Sequence, residues 1–288
     1  MTIEGINTIY IVGPTASGKS DLGIQIAKEL NGEIICADSR TIYKNLDIAT
    51  AKPSLNERKE VKHWCLDVVE PNERYSAAQF KRDAQMAIKD ILSRSKLPII
   101  VGGSGLYIDG LLYDYEFGPL ENEQLRSELE LMTIEQLQEI ITARNIEMPE
   151  NNKNKRYLIR AIEQGGINKK RGKLKNNILI IGINPGLEIL EERITKRAKS
   201  MIKNGAVDEA KMLFEKYGEN VPATLAPFYK AIKPHFINLV PIEECVAQYI
   251  KNDRNLAKRQ IAWFKRNKAI KWFKSSEEAL NFVHSKLK

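Results

Sequence analysis

The chain has 288 residues, 43% of them hydrophobic and 28% charged, a balance that excludes a disordered or fibrous protein and predicts one large or two modest domains. Its longest apolar stretch, residues 178–183, falls far short of the roughly 18 residues of a membrane span, and the N-terminal residues lack the basic-then-apolar pattern of a secretory signal. Lys and Arg outnumber Asp and Glu by 45 to 37, a net charge of +8, so an acidic partner is expected, nucleic acid before others.

The first hundred residues alternate short apolar runs with helical spacing. Residues 8–12 predict a strand, 19–30 a helix with Leu22, Ile26 and Leu30 on one face, and 33–37 a second strand. Residues 76–92 predict a helix carrying Phe80, Ala84, Ile88 and Ile91, with Ser76 as N-cap, and 97–101 a third strand. Residues 121–144 read as helical and polar, 149–155 as a loop, and 178–183 as a buried strand. Helices follow over 188–203, 207–217 and 243–264. Strand–helix alternation implies an α/β fold, a wound parallel sheet flanked by helices. The middle reads as a small helical insertion over residues 119–152, with the core in 1–118 and 153–288.

The basic excess is concentrated. Lys153, Lys155, Arg156, Arg160, Lys169, Lys170, Arg171, Lys173 and Lys175 face one acid, Glu163. Lys251, Arg254, Lys258, Arg259, Lys265, Arg266, Lys268, Lys271 and Lys274 face one acid, Asp253. Such blocks suit a polyanion; a solvated face is the plainer reading. Cys36, Cys65 and Cys245 are far apart, with no CxxC and no ligand spacing, which points to a reducing, cytoplasmic setting and no zinc. Nothing requires more than a monomer.

The sharpest local signal is Gly13, Pro14, Thr15, Ala16, Ser17, Gly18, Lys19, Ser20. It fits G-x-x-x-x-G-K-[ST] between a strand and a helix, the context that gives the match meaning and the P-loop type its name. Glycines let backbone N–H groups turn inward around an anion, and the following helix aims its positive end at the same point. Lys19 adds a mobile charge, and the Ser20 hydroxyl can ligate the Mg²⁺ that accompanies a phosphate chain. The loop recognises a diphosphate unit without saying what carries it; nucleotide binding, ATP first, is the common case.

Residues 34–38, Ile-Ile-Cys-Ala-Asp, form an apolar strand ending in a carboxylate. Two readings of Asp38 stand open: an acidic Mg²⁺ partner, as in an NTPase, or a general base at the carboxyl end of a strand, where α/β sheets place ligands. Ser39, Arg40 and Thr41 follow it.

Five segments in order then resemble a known family: residues 13–20; 37–43, Ala-Asp-Ser-Arg-Thr-Ile-Tyr; 46–53, Leu-Asp-Ile-Ala-Thr-Ala-Lys-Pro; 75–80, Tyr-Ser-Ala-Ala-Gln-Phe; and 97–107, Leu-Pro-Ile-Ile-Val-Gly-Gly-Ser-Gly-Leu-Tyr. They look like the tRNA dimethylallyltransferases (tRNA isopentenyltransferases), near continuously over residues 8–112, again at 156–163 and 191–209, and weakly at 254–263. The resemblance implies transfer of a dimethylallyl group from dimethylallyl diphosphate to the exocyclic N6 amine of the adenosine 3′-adjacent to the anticodon in tRNA, with release of diphosphate. It implies Asp38 as base, with Ser104, where the family usually has Thr, orienting Asp38 or the amine. One of Arg193 and Arg197, four apart on one helix face, is implied to serve the diphosphate; a salt-bridged helix surface is the alternative. It places tRNA contacts on Asp38, Ser39, Arg40, Thr41, Arg126, Arg156 and Arg160. The adenine would be swung out of its stack to reach the loop, with basic side chains holding the phosphate backbone.

A small-molecule kinase shares the same opening and is the competing reading; a non-catalytic RNA-binding adaptor is a third. The chain also departs from the family pattern: Ala49 stands for a usual Gly, Tyr157 for an Arg, and Asp253, before Arg254, for a Thr. Trp263, Phe264, Trp272 and Phe273 interleave with basic residues and read first as core of a C-terminal helix and its continuation, second as base-stacking groups. His63, His235 and His284 read as structural or surface residues. Asp67 and Glu70 read first as solvated surface acids, second as groups within reach of Mg²⁺.

Overall fold

The structure, a computed structural model, describes residues 3, 5–118, 122–165 and 172–287. Lys169, Lys170 and Arg171 of the first basic block, and Glu121 at the start of an expected helix, lie outside the described residues. The chain divides into two compact units, one of residues 1–112 and 175–288, the other of residues 113–174.

In chain order the larger unit holds β1 (Thr8–Val12), α1 (Lys19–Glu29), β2 (Gly32–Cys36), α2 (Leu55–Glu60), β3 (His63–Trp64), α3 (Ala77–Ser93), β4 (Leu97–Gly102) and α4 (Gly105–Leu112). The smaller unit holds α5 (Glu123–Leu131), α6 (Ile134–Ala143) and α7 (Lys155–Gln164). The larger unit resumes with β5 (Ile178–Ile183), α8 (Leu187–Lys203), α9 (Ala206–Tyr217), a 3-10 turn at Pro222–Leu225, α10 (Pro227–Asn238), α11 (Ile242–Phe264), β6 (Lys271–Phe273) and α12 (Ser276–His284).

The six strands form one parallel sheet in the order β3-β2-β4-β1-β5-β6. Period-two alternation sorts their side chains. Ile9, Ile11, Ile34, Cys36, Ile99, Val101, Ile181 and Ile183 share one core cluster with Leu22 and Ile26 of α1 and with Ala279 and Val283 of α12. The alternate residues Tyr10, Ile35, Ile100 and Ile180 are buried on the other face. A sheet buried on both faces reads as continuous apolar runs, which is why these strands are legible as such. α3 buries Phe80, Ala84, Ala87 and Ile91, none of them in the cluster under α1, and Phe80 stacks on Tyr107 of α4 at 4.2 Å between centroids. Ser76 caps α3 in a reciprocal box with Gln79. A second core gathers Phe228, Tyr229 and Ile232 of α10, Cys245 and Tyr249 of α11, and Ile42, Tyr43, Leu46 and Ala49 of the segment after β2.

The stretch read as helical divides into α5 and α6, because Thr133 leaves the helix as an N-cap and forms a capping box with Gln136. Two sequence expectations are corrected. The smaller unit is wider than residues 119–152, because Leu158, Ile159 and Ilе162 of α7 share a core with Leu129, Leu137 and Ile141. Trp272 and Phe273 do not continue a helix; they form edge strand β6 beside β5. No helix among the described residues is long and apolar enough to cross a membrane.

At the opposite strand ends from the phosphate loop, Glu33 starts β2 with a side chain only 2% exposed. It accepts hydrogen bonds from Arg94 (Nη2, 2.8 Å), Lys96 (Nζ, 2.9 Å) and the Trp64 indole (2.8 Å). Arg94, against the opposing effect of burial and with help from Lys96 and Trp64, holds the Glu33 carboxyl well below the usual range. A depressed carboxyl stabilises the fold above its unfolded value of about 4.3 and loses that contribution as pH falls toward its folded value. Glu33→Gln is expected to lower unfolding free energy at pH 7 by about 2 kcal/mol, less than for a fully buried pair because Arg94 and Lys96 stay partly in water. Urea titrations should show the gap between wild type and variant narrowing progressively below about pH 4; a gap as wide at pH 2 as at pH 7 contradicts the assignment.

Candidate active site

The phosphate loop joins β1 to α1 at the carboxyl edge of the sheet, where the winding of an α/β sheet leaves a crevice. Gly18 takes φ 93° as the residue before α1, left-handed backbone that a side chain would strain. Ser17 N–H donates to the Pro14 carbonyl at 3.3 Å, and Lys19 Nζ donates to the same carbonyl at 3.2 Å. Burial pushes the Lys19 ammonium down; Asp38 opposes that, Arg197 adds to it, and Asp253 opposes it. Lys19 therefore shares one electrostatic neighbourhood with both carboxylates.

Two polar groups of the loop region are buried without a partner among the described residues: the Ser17 hydroxyl and the Arg197 Nε. Buried polar groups are normally paired, so this pair of orphans marks a place prepared for a polar ligand. The Ser20 hydroxyl is exposed and makes no hydrogen bond among the described residues.

α8 delivers both arginines to the loop. Arg193 Nη1 donates to the Ser17 carbonyl at 3.1 Å and the Ala16 carbonyl at 3.4 Å. Arg197 Nη2 donates to Thr15 Oγ1 at 2.6 Å and to Asp253 Oδ2 of α11. Both side chains turn onto the loop, and Arg197 is in addition salt-bridged to Asp253.

Asp38 follows the end of β2. The strand's line is held by the Ala37 amide donating to the Val101 carbonyl at 2.8 Å and the Ser104 amide donating to the Ala37 carbonyl at 3.2 Å. One carboxylate oxygen, Asp38 Oδ1, accepts from the Arg40 amide at 2.8 Å. Oδ2 accepts from no described residue, and Asp38 is half-buried. Ser104 Oγ accepts from the Ser39 amide at 3.0 Å, so it fixes the backbone after Asp38 rather than the Asp38 side chain. The Arg40 guanidinium makes no hydrogen bond or ion pair among the described residues. Thr41 is buried, its hydroxyl 3.5 Å from the Asp38 carbonyl oxygen.

Sequence reasoning missed three anchors. Gln260 of α11 accepts the Thr15 amide on Oε1 at 2.8 Å and donates from Nε2 to the Gly103 carbonyl at 3.0 Å. One side chain thereby ties the phosphate loop to the segment that carries Ser104. Glu209 of α9 accepts the amides of Asp47, Ile48 and Ala49 at 2.7–2.9 Å and the Tyr229 hydroxyl at 2.7 Å. Asp253, 3% exposed, holds Arg197. The last was visible in principle, because Cys245, Tyr249, Asp253, Ala257 and Ile261 step along one face of α11 and a charge in such a stripe needs a partner.

Asp67 and Glu70 keep part of their surface in water, as expected, but both are paired. Asp67 binds Lys52 at 2.6 Å and Arg58 at 2.7 Å; Glu70 accepts from Lys44 at 3.0 Å and from the Tyr217 hydroxyl at 3.0 Å. Trp263 lies with its ring against Gly105 and its indole N–H on Asp109 at 3.0 Å, with Arg266 over the other side at 4.1 Å; Phe264 is core. Two histidines bond locally, His63 Nδ1 to the Val61 carbonyl and His235 Nδ1 to the Val240 carbonyl, while His284 Nε2 of α12 meets Glu29 of α1. In the smaller unit, Arg126 and Arg160 meet on Glu163, at 3.3 and 3.1 Å, while Arg156 is exposed.

A phosphate loop, two arginines upon it and a half-open aspartate two strands away define a wound α/β enzyme that transfers a group to or from a phosphate chain. The profile of the IPP transferase family matches residues 41–267, and the chain belongs to that family. It is 40% identical over 279 residues to a tRNA dimethylallyltransferase of Streptococcus agalactiae, covering 95% of this chain and 93% of that one, and 41% identical over 271 residues to one of Streptococcus pyogenes, covering 92% and 90%. Among solved structures, a full-length tRNA isopentenylpyrophosphate transferase of Bacillus halodurans superposes with TM-score 0.75 at 31% identity, over 97% of this chain and 96% of that one. A eukaryotic dimethylallyltransferase captured acting on tRNA superposes with TM-score 0.73 at 26% identity, over 90% and 70%.

Gly102 tests how tightly Asp38 is placed. A methyl group there would overlap the Ala37 carbonyl and the Ala37 side chain, so the strand end bearing Asp38 must move. Gly102→Ala is expected to cut turnover about 100-fold, the scale of an ångström misplacement, while far-ultraviolet dichroism stays native. Near-normal turnover would mean that Asp38 tolerates displacement.

Proposed function

We propose that the chain transfers a dimethylallyl group from dimethylallyl diphosphate to the exocyclic N6 amine of the adenosine 3′-adjacent to the anticodon in tRNA, releasing diphosphate. The observation that carries this reading is the Asp38 carboxylate, with Oδ1 on the Arg40 amide and Oδ2 engaged by no described residue, in the electrostatic neighbourhood of Lys19. A phosphate loop used only to hydrolyse a nucleotide has no need of a second substrate, whereas an adenine amine is a weak nucleophile and needs an acceptor for its proton.

Each step then falls to a named group. The loop amides, Lys19 and the guanidinium of Arg193 or Arg197 bind the diphosphate and stabilise the charge that grows on it as the allylic C–O bond breaks. The bonding electrons leave with the diphosphate. The amine nitrogen forms the new C–N bond and its proton passes to Asp38 Oδ2, the oxygen not spent on the Arg40 amide. Arg40, without an ion pair, is free for an RNA phosphate beside the base, with Ser39 and Thr41 on the same turn. The tRNA backbone is assigned also to Arg126, Arg156 and Arg160.

Mg²⁺ fits this reading through Ser20. Among the described residues no group of three or more His, Cys, Asp or Glu could hold a metal, so the ion would be held by the unengaged Ser20 hydroxyl together with substrate diphosphate oxygens, a hard-oxygen set that suits Mg²⁺. When bound it neutralises charge on the departing diphosphate. A small-molecule kinase gains no support beyond the loop itself.

Incubation with unmodified tRNA, labelled dimethylallyl diphosphate and Mg²⁺ should place label in the tRNA; label entering only from ATP would support a kinase. Asp38→Asn is expected to lower turnover by about 100-fold or more with tRNA affinity nearly unchanged, and a near-normal rate removes Asp38 from the base role. Affinity for tRNA should fall steeply with salt, the slope counting phosphate contacts; a flat response would leave the basic side chains as solvated surface.

A further inference from the structure

We propose that Asp253 is a resident counter-anion of the diphosphate cradle, one that weakens diphosphate binding and so eases departure of the product. The inference rests on the reading of the loop as a diphosphate site.

Three cationic side chains converge on the loop: Lys19, Arg193 and Arg197. A cradle of that charge in a partly desolvated site would hold a released diphosphate tightly. Asp253 stands among them. It is 3% exposed in the middle of α11 and its Oδ2 takes the Nη2 of Arg197, the same nitrogen that reaches Thr15 in the loop at 2.6 Å. The Tyr249 hydroxyl lies 3.4 Å from the same oxygen. Asp253 also acts on Lys19, where its charge opposes that of Arg197. With Asp38 near Lys19 as well, two carboxylates offset the cations in the absence of ligand.

The sign of the effect follows from comparing free and bound states. In the free protein Asp253 pairs with a guanidinium that burial would otherwise leave uncompensated. In the bound state the incoming diphosphate supplies that compensation, and Asp253 becomes a like charge facing it across Arg197. The carboxylate therefore favours the free state over the bound one. Arg197 retains a donor for the ligand, since its buried Nε has no partner among the described residues.

Two neutral replacements test it. Asp253→Asn keeps the shape without the charge, and Asp253→Thr keeps a hydroxyl-sized polar group; either alone suffices if the other fails to fold. Inorganic pyrophosphate with Mg²⁺ is titrated into each protein by calorimetry, with thermal unfolding to confirm the fold. The neutral variants are expected to bind pyrophosphate about 10-fold tighter than wild type, while Asp253→Glu, which keeps the charge, stays within about 2-fold. In the steady state, inhibition by added pyrophosphate should strengthen in parallel in Asp253→Asn. Equal or weaker binding by the neutral variants overturns the proposal and leaves Asp253 as an orienting partner of Arg197. Absence of pyrophosphate binding by wild type overturns instead the diphosphate reading on which the proposal rests.

Discussion

A phosphate loop has to keep its backbone open toward an anion before the anion arrives. Peptide groups held that way have lost water without gaining a partner, and unsupported they would fold in upon themselves. Here the support comes from side chains far away in sequence. Gln260 takes the Thr15 amide, Arg193 takes the Ala16 and Ser17 carbonyls, Ser276 Oγ donates to the Gly18 carbonyl at 3.2 Å, and Lys19 rests on Pro14. Helices α8, α11 and α12 are thus not merely a cover for the sheet. They hold the loop in shape, and the site exists only when the C-terminal half has closed over the N-terminal one.

The same economy of contacts organises the segment between β2 and α2. Residues 37–54 form no regular element, yet Ile42, Tyr43, Leu46 and Ala49 are buried. Glu209 accepts three consecutive amides from residues 47–49, and Lys52, with no side-chain exposure, joins Asp47, Asp67 and the Tyr43 carbonyl. A buried ammonium must have such partners. The result is an irregular stretch, fixed at both ends, that begins with Asp38 and Arg40. A carboxylate presented from such a segment keeps its position without needing a helix or strand beneath it.

Legibility in the sequence followed the range of the forces involved. The strands of the sheet centre were readable because burial on both faces leaves unbroken runs such as Ile99, Ile100 and Val101. The phosphate loop was readable because its chemistry is local. α10 was not, although Pro227 sits in its first turn, because Pro234 in the interior argues against a helix. β3 and β6 have two and three residues and gain their identity from the strands beside them. α12 carries a local start signal, Ser275 with Glu278 three residues on. Gln260 and Glu209 were out of reach for a different reason: their partners are backbone amides, which carry no residue identity for a sequence to display.

The smaller unit shows how one acid can alter the meaning of a basic block. Glu163 has a side chain 2% exposed and holds both Arg126 and Arg160. Those two guanidiniums are fixed in place and already share a negative charge, so each contributes direction more than net attraction to an incoming phosphate. Arg156 lies two turns from Glu163 on α7, exposed and without a side-chain partner among the described residues, and it keeps both its full charge and its freedom to move. A polyanion meeting this helix is therefore drawn by the unpaired side chain and registered by the paired ones. Counting basic residues along a sequence treats the three alike; their neighbours divide them.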